Sequence, residues 1–321
     1  MEDREVFVGG VNLVTREGGL VRRPAGPWSG TVQRLLAQLR EAGFTGAPRP
    51  YGIGDDAAEE LVEYLPGTVG HDFAAPEVRS DASLVAAGRL LRALHDASAD
   101  FVREPGDVWQ FPAREPAEVI CHGDAATYNT VFRDGLPVAF IDFDTAHPGP
   151  RLWDAAYTAY RFVPLYAPDE VEHTLPVPEA KRRLLLFADS YGLSQDERDR
   201  LPATAAERLR ALVAWMREQA AAGHPAFGRH VAEGHDRRYL TDARWIEETF
   251  GRRRPDPPYD IPRTTNPTDS VPAEVAACAS CTSPTTPTRW PLREASSAAV
   301  RTSTSGSWRD GWPAPAARST S

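Results

Sequence analysis

Residues 121–154 read CHGDAATYNTVFRDGLPVAFIDFDTAHPGPRLWD, and this stretch decides how the rest of the chain is interpreted. Two short runs in it, 130–133 and 137–140, have the composition of β-strands. Asp134-Gly135 between them is a favoured pair for a hairpin turn. Because a hairpin returns the chain to its starting point, we expect Asp124 and Asn129 at the entrance to lie close to Asp142 at the exit.

Two carboxylates and an amide brought together in this way suit phosphoryl transfer. One carboxylate accepts the proton of the attacking hydroxyl, while the amide and the second carboxylate hold Mg²⁺ on the nucleotide phosphates. The catalytic loop of protein kinases spaces its residues as D-x-x-x-x-N and is followed by a metal-binding D-F-G. Asp124 and Asn129 match that spacing, and Asp142-Phe143 matches the metal-binding element, with Asp144 in place of its glycine.

With these motifs the chain resembles the aminoglycoside phosphotransferase family, whose members are small-molecule kinases with a protein-kinase-like fold. The resemblance rests on H-G-D-x-x-x-x-N at 122–129, I-D-F-D at 141–144 and P-G-x-R-x-x-D at 148–154. It extends more loosely over about residues 5 to 250. The resemblance implies ATP and Mg²⁺ as cofactors and a small molecule with a hydroxyl group as substrate.

The resemblance also implies a role for each matched residue. Asp124 would be the catalytic base, and Asn129 and Asp142 would bind the metal. Asp154 would brace the catalytic loop and His122 would orient it. The remaining supporting residue of the matched motifs is Asp144.

The N-terminal residues predict a small sheet that could hold the nucleotide phosphates. Runs at 5–8, 11–15 and 20–23 read as three antiparallel strands with glycines at both turns. Gly9-Gly10 would let backbone amides approach phosphates, although an ordinary hairpin turn is the alternative. The third strand should present a cation, and this part of the chain contains no lysine. Arg22 or Arg23 must serve, and Arg22 aligns better with the family's cationic position.

Two further features of this region are compared with the family. A helix capped by Ser29 or Thr31 is predicted to run through Ala42, but Val32 stands where a kinase helix carries a glutamate that pairs with the cation. After two more strands, at 49–53 and 60–65, the segment from Glu63 to Leu65 resembles the hinge whose backbone would hydrogen-bond an adenine. A strand ending in a Pro-Gly turn is the alternative reading.

The remainder of the chain predicts a helical lobe followed by a tail. Helices are expected at 81–95, 155–162, 179–191, 195–200, 203–219 and 233–250. The fold class is therefore α+β, a bilobal protein-kinase-like fold with a small antiparallel-sheet N-lobe and a larger, mainly helical C-lobe. We divide it into a nucleotide-binding lobe at 1–66, a catalytic and acceptor-binding lobe at 67–250, and a disordered Pro/Ser/Thr/Arg-rich tail at 251–321.

Composition excludes several other classes of protein. The formal net charge is −9, which argues against a nucleic-acid binder. No apolar run approaches the length of a membrane span, and the acidic start MEDREVF does not resemble a signal peptide. Three cysteines are too few for a disulfide framework. We therefore expect a cytoplasmic protein that binds neither membrane nor nucleic acid.

The sequence thus favours an ATP-dependent kinase that phosphorylates a hydroxyl group of a small molecule. Its main rival is a catalytically impaired, nucleotide-binding scaffold of the same fold, suggested by the missing lysine and helix glutamate. A protein kinase is disfavoured, because no A-P-E element or long activation segment lies between Asp142 and Asp154. The acceptor and the oligomeric state cannot be derived from the sequence.

Overall fold

The first strands form one antiparallel sheet in the computed structural model, which describes residues 4–8, 13–54, 58–168 and 174–251. The strands are β1 (Arg4–Val8), β2 (Leu13–Glu17), β3 (Leu20–Pro24), β4 (Pro50–Ile53) and β5 (Glu59–Glu63). Their order is β1-β2-β3-β5-β4, so β3 lies beside β5 although α1 and β4 separate them in the chain. The Gly9-Gly10 turn and residues 252–321 of the predicted tail lie outside the described residues.

Helix α1 (Ser29–Glu41) lies between β3 and β4 in the chain and packs on β4. Apolar residues three and four apart share one face of a helix. Val32, Leu35, Leu36 and Leu39 are accordingly all buried. The helix therefore uses Val32 for its apolar contact face.

The predicted hairpin is present and belongs to a second, smaller sheet. Strands β8 (Thr130–Arg133) and β9 (Leu136–Phe140) are antiparallel. Asp134 (φ 50°) and Gly135 (φ 76°) both have positive φ, as a tight hairpin turn requires. The short strand β6 (Thr68–Val69) pairs with β8, and β7 (Val119–Cys121) pairs with β10 (His147–Gly149). These pairings hold both ends of the hairpin segment in place.

The rest of the described chain is mainly helical. The helices are α2 (Pro76–Arg79), α3 (Asp81–Ser98), α4 (Arg151–Phe162), α5 (Val177–Tyr191), α6 (Gln195–Ala221), α7 (Pro225–Ala232) and α8 (His235–Phe250). Helix α4 is buried along almost its whole length. It packs against α3 and α6, while α6 packs against α8 and α3 against α5. The small sheet lobe and the larger helical lobe confirm the predicted α+β architecture.

The predicted pair of helices at 195–200 and 203–219 was wrong, since α6 is one continuous helix. Ser194 and Glu197 form a capping box at its start. Pro202 lies within the helix and cannot donate to the carbonyl four residues earlier. Leu201 and Ala205, close to Pro202 in the helix, are buried, and this burial stabilises the continuous helix despite the missing backbone hydrogen bond. Within the described part of the chain, no helix is long and apolar enough to cross a membrane.

Candidate active site

The segment that follows β7 is anchored by one buried carboxylate, that of Asp154 in the first turn of α4. Its two oxygens accept hydrogen bonds from the backbone N–H groups of His122 (2.7 Å) and Gly123 (2.9 Å). Nε2 of His95, near the end of α3, lies 3.0 Å from Asp154 Oδ2. Burial opposes the charge on Asp154, but the hydrogen bond and charge of His95 outweigh it and lower the pKa of Asp154 below its ordinary value. The ionised carboxylate therefore holds the loop to both α3 and α4.

Gly123 has a conformation that a larger residue could not adopt without displacing its neighbours. Its φ is +83°, and a Cβ atom there would lie 2.3 Å from the carbonyl oxygen of Thr145. The carbonyl of Gly123 accepts a hydrogen bond of 2.7 Å from Nη2 of Arg208 on α6. The Arg208 guanidinium is buried against the rings of Trp153 and Tyr157. Helix α6 thus holds the residue just before Asp124, a contact that the sequence analysis missed.

His122 is fully buried and joins the loop to the far end of the hairpin. Its Nδ1 accepts from the backbone N–H of Asp124 (3.3 Å), and its Nε2 donates to the carbonyl of Ile141 (3.1 Å). This pattern requires a neutral ring that carries its proton on Nε2. Burial lowers the pKa of His122, which also favours the neutral ring. His122 therefore joins the backbone on the two sides of the hairpin, and its orienting role stays a prediction.

Asp124 is partly buried, and both of its oxygens accept hydrogen bonds. The Tyr128 hydroxyl donates to Oδ1 (2.7 Å) and the Asn129 Nδ2 donates to Oδ2 (2.9 Å). Burial raises the pKa of Asp124 to about 6, and the charge of Asp142 adds to this, while Tyr128 and the positive charge of Arg161 oppose it. A carboxylate with such a pKa is mostly ionised at pH 7 and can still take up a proton readily.

Asn129 ends a single 3-10 turn, Thr127–Asn129, that leads into β8. Its Nδ2 donates to the backbone carbonyl of Asp124 (3.0 Å) as well as to the carboxylate. Because both bonds use Nδ2, the Oδ1 atom of Asn129 remains available as an oxygen ligand. The backbone N–H of Ile141 donates to the carbonyl of Asn129 (2.9 Å), which ties the exit of the hairpin to its entrance. The structure therefore brings Asp124, Asn129 and Asp142 together.

Asp142 has a backbone conformation that is uncommon for a residue with a side chain. Its φ of 64° and ψ of 68° lie in the left-handed region. Such strained residues cluster at active sites, where the surrounding structure holds them in place. About half of the Asp142 side chain is exposed, 51% of its surface, so its carboxylate can reach a ligand.

The cation that faces this carboxylate is Arg23. Its Nη1 lies 2.7 Å from Asp142 Oδ1, and its Nη2 lies 2.8 Å from Asp144 Oδ1. Its Nε lies 2.5 Å from Oε1 of Glu60, a residue with no exposed surface. Burial opposes the charge on Arg23, but Asp144, Asp142 and Glu60 together raise its pKa above the ordinary value. One arginine therefore joins the small sheet to the end of the hairpin in the larger lobe.

Arg22, predicted to be the cation on the nucleotide phosphates, does not lie beside Asp142. Arg22 lies 3.1 Å from Glu17 and 3.8 Å from Glu59, both on neighbouring strands. Neighbouring residues of a strand point to opposite faces of the sheet. The face that carries Arg23 is the one turned toward Asp142, so Arg22 points away from it. Among the described residues, Arg23 is the positively charged side chain that contacts Asp142.

Glu60 is a second residue that the sequence analysis missed. It lies directly opposite Arg23 in the pairing of β3 with β5. The absent glutamate of α1 therefore has a counterpart on a strand. The signal in the sequence was only a glutamate in a predicted strand, and the cross-strand pairing needed to interpret it is not local.

Asp144, one residue beyond Phe143, completes a cluster in which three carboxylates surround one guanidinium. Burial raises the pKa of Asp144 to about 7; Arg23 lowers it, while Asp142 and Glu60 raise it further. The formal charges of the cluster leave an excess of negative charge. That excess suits the binding of an additional cation at the exposed carboxylate of Asp142.

The residues present fit a magnesium ion that is shared with nucleotide phosphates. Asn129 Oδ1 and Asp142 are oxygen donors of the kind that Mg²⁺ prefers. Among the described residues, no group of three or more His, Cys, Asp or Glu side chains forms a metal site. Magnesium commonly uses one or two carboxylates and completes its shell with substrate phosphates and water, so this small donor set is sufficient.

The predicted hinge residues lie where β5 leaves the small sheet. The backbone N–H of Glu63 donates to the carbonyl of Arg49 (2.9 Å), and that of Tyr64 donates to the carbonyl of Gly19 (2.8 Å). Leu65 follows in the link to β6 and is partly buried. Nothing in these contacts tests the predicted adenine site, and Gly9 and Gly10 lie outside the described residues. The nucleotide-binding roles of Glu63, Leu65, Gly9 and Gly10 remain predictions.

Comparison with known proteins identifies the family. The model of the Phosphotransferase enzyme family matches residues 106–187. The chain is 36% identical over 197 residues to the trifolitoxin immunity protein of Rhizobium leguminosarum bv. trifolii, covering 59% of this chain and 74% of that protein. The chain belongs to the phosphotransferase enzyme family.

Solved structures show the same fold at low sequence identity. The amicoumacin kinase hAmiN, in complex with AMP-PNP, Ca²⁺ and Ami, superposes with a TM-score of 0.55 and 14% identity over 77% of this chain and 87% of that one. An ethanolamine kinase of Plasmodium vivax gives a TM-score of 0.53 and 12% identity over 75% of this chain and 82% of that one. These similarities confirm the predicted protein-kinase-like fold.

Proposed function

We propose that the protein transfers the γ-phosphoryl group of ATP to a hydroxyl group of a small molecule. The observation that carries this proposal is the position of Asp124. It lies partly buried beside Asn129, and its pKa of about 6 suits a general base. The family, and the AMP-PNP bound to the related amicoumacin kinase, support a nucleotide as the phosphoryl donor.

In the proposed reaction, Asp124 accepts a hydrogen bond from the acceptor hydroxyl and aims its oxygen at the γ-phosphorus. The new oxygen–phosphorus bond forms as the bond from the γ-phosphorus to the leaving oxygen of ADP breaks. The hydroxyl proton passes to Asp124. Positioning and neutralisation of charge supply most of the acceleration in such reactions.

The remaining residues of the site would hold the donor. Asn129 and Asp142 would bind Mg²⁺, which supplies positive charge to the phosphates when bound. Arg23 would contribute a second positive charge from the small lobe. The nucleotide would lie between a lobe at 1–66 and a lobe at 67–250, with residues 251–321 as an appended tail, and the protein would act in the cytoplasm, where ATP is supplied.

The test is a calorimetric titration of the full chain with ATP, with and without Mg²⁺, followed by a screen of hydroxyl acceptors for ADP release. We expect Asp142→Ala to lose magnesium-dependent binding. Asp124→Ala should keep that binding and lose turnover. Asp100→Ala, which alters an exposed aspartate, should behave as the wild type. Near-normal turnover in a folded Asp124→Ala protein would overturn the proposed mechanism.

The name of the relative suggests a class of acceptor to test first. The relative is called an immunity protein, so we propose that the acceptor is a toxic compound inactivated by phosphorylation. Residues 151–250 carry 14 basic and 16 acidic residues, which does not favour a polycationic acceptor. Incubation of the protein with MgATP and trifolitoxin, and separately with an aminoglycoside, tests both points. A gain of one phosphate by trifolitoxin, seen by mass spectrometry, would support both points. Phosphorylation of the aminoglycoside alone would contradict the argument from charge, and phosphorylation of neither compound would count against a toxic acceptor.

The impaired-scaffold alternative loses part of its basis. It was suggested by the lack of a lysine and a helix glutamate in the small lobe. Arg23 and Glu60 form a cation–carboxylate pair in that lobe. Magnesium-dependent ATP binding, together with no ADP release for any compound of a broad acceptor screen, would favour the scaffold alternative.

A further inference from the structure

The ion pair between Arg23 and Glu60 is formed within one sheet. The two residues are directly opposite each other across β3 and β5, and Nε of Arg23 lies 2.5 Å from Oε1 of Glu60. The Glu60 side chain has no exposed surface, and that of Arg23 is 10% exposed. A buried charge requires a partner, so each residue restricts the position of the other.

Helix α1 contributes only an amide to this arrangement. Nε2 of Gln33 donates to Glu60 Oε2 and to the carbonyl of Leu61, both at 3.3 Å. Oε1 of Gln33 accepts from the backbone N–H of Gly52 on β4 (2.8 Å). Gln33 thus joins α1 to two strands and contacts the far side of the Glu60 carboxylate. It makes no ion pair with Arg23.

The direction of the Arg23 guanidinium follows from these contacts. Nε of Arg23 faces the carboxylate of Glu60 as an ion pair, so Nη1 and Nη2 are the groups that face the larger lobe, where they meet Asp142 and Asp144. The planar guanidinium cannot present all its N–H groups in one direction. Holding Nε from behind therefore decides which atoms can meet a ligand between the lobes.

We propose that Glu60 is a positioning residue that holds Arg23 toward the nucleotide phosphates, and that the sheet rather than α1 carries this function. The inference rests on the proposed function, because it assumes that a nucleotide binds in the cleft. Since both partners belong to adjacent strands, a shift of α1 would leave the pair intact. The phosphate-facing cation is then in place whatever the position of the helix.

The test compares ATP with adenosine, because Arg23 acts on phosphates and not on the base. We expect Glu60→Gln to weaken MgATP binding about tenfold, the usual scale for one charge-assisted interaction, and to leave adenosine binding unchanged. Glu59→Gln, the matched control at the neighbouring position of the same strand, should keep the wild-type affinities for both ligands, because Glu59 is half exposed and faces Arg22. A general loss of structure would weaken both ligands, whereas loss of positioning weakens ATP alone.

The double variant keeps the test valid if Glu60→Gln alone leaves Arg23 unpaired and unfolds the protein. Arg23→Gln with Glu60→Gln removes both buried charges and should fold. If Glu60 acts through Arg23, the double variant should have the same ratio of ATP to adenosine affinity as Arg23→Gln alone. Two results would overturn the inference: a lower ratio of ATP to adenosine affinity in the double variant than in Arg23→Gln, or a wild-type ratio in folded Glu60→Gln. If the wild-type protein still bound MgATP, the proposed function would stand. Wild-type protein that bound no MgATP would overturn both.

Discussion

Replacement of Asp124 by asparagine should make the protein more stable at neutral and higher pH. Burial raises the pKa of Asp124 from 3.8 to about 6. The folded protein therefore holds this proton more tightly than the unfolded chain does. In the ionised form Asp124 destabilises the fold, fully so above pH 6, and this effect is absent below pH 3.8, where both states are protonated.

The size of the effect follows from the shift. About 2 pKa units at 1.36 kcal/mol each correspond to about 3 kcal/mol. Asparagine has nearly the same shape as aspartate but no charge. It has only one acceptor oxygen, so it can keep only one of the two hydrogen bonds that Tyr128 and Asn129 donate to the carboxylate. One lost hydrogen bond costs about 1 kcal/mol. We therefore expect Asp124→Asn to raise the free energy of unfolding by about 1–3 kcal/mol at pH 8. At pH 5 the gain should be about a third as large, because the effect of the charge roughly halves while the cost of the lost hydrogen bond is unchanged.

The assay is urea unfolding of the full chain at pH 8 and pH 5, followed by tryptophan fluorescence. Asp100→Asn, which alters an exposed aspartate, is the matched control and should show no pH-dependent difference from the wild type. An Asp124→Asn protein that is less stable than the wild type at pH 8 would refute the reasoning. So would a stability difference that stays the same at both pH values.

Three further predictions concern the same site. Tyr128→Phe removes a hydrogen-bond donor to the ionised form of Asp124 and should therefore raise the pKa of Asp124. The acidic limb of the pH profile of ADP release should then move up by about one pH unit, and an unmoved limb would contradict this. Arg23→Met should weaken MgATP binding at least about tenfold in calorimetry, whereas Arg22→Met should leave it unchanged, and equal effects would contradict the assignment of the cation. Gly123→Ala should lower the thermal unfolding midpoint and abolish turnover, because its Cβ would meet a backbone carbonyl; wild-type turnover would show that the loop can move aside.

The hairpin and its motif were predictable because all the signals are local. Asp134-Gly135 marks the turn, and the strands on either side are short and apolar. A hairpin fixes the approximate position of residues at both of its ends. Asp124, Asn129 and Asp142 could therefore be placed near one another without knowledge of the rest of the fold.

The choice between Arg22 and Arg23 could not be made in the same way. Strand alternation says that the two side chains point to opposite faces, but not which face meets the larger lobe. That depends on the position of β3 relative to the hairpin, which only tertiary structure determines. Glu60 was missed for a related reason. Its pairing with β3 joins strands that are not consecutive in the chain, so no short pattern connects it to Arg23.

The error at α6 has the opposite origin, since a strong local signal was followed too far. The gap between the predicted helices at 195–200 and 203–219 contains Pro202, and proline usually ends a helix. The residues around it are buried in the larger lobe, and that burial stabilises a continuous helix. Further along the same helix, Arg208 donates to the carbonyl of Gly123.

The groups that are unfavourable to the fold lie together at the proposed site. Asp142 has a left-handed backbone, and Asp124 and Asp144 are carboxylates with raised pKa values. Each would be removed by selection for stability alone, because a substitution at each position could relieve strain or repulsion. The support of the loop, by contrast, is well satisfied, since Asp154 receives two backbone N–H groups and faces His95. The loop is thus firmly anchored, whereas the carboxylates of Asp124, Asp142 and Asp144 are poorly stabilised. Such carboxylates favour the binding of a cation and the uptake of a proton, and the proposed phosphoryl transfer requires both.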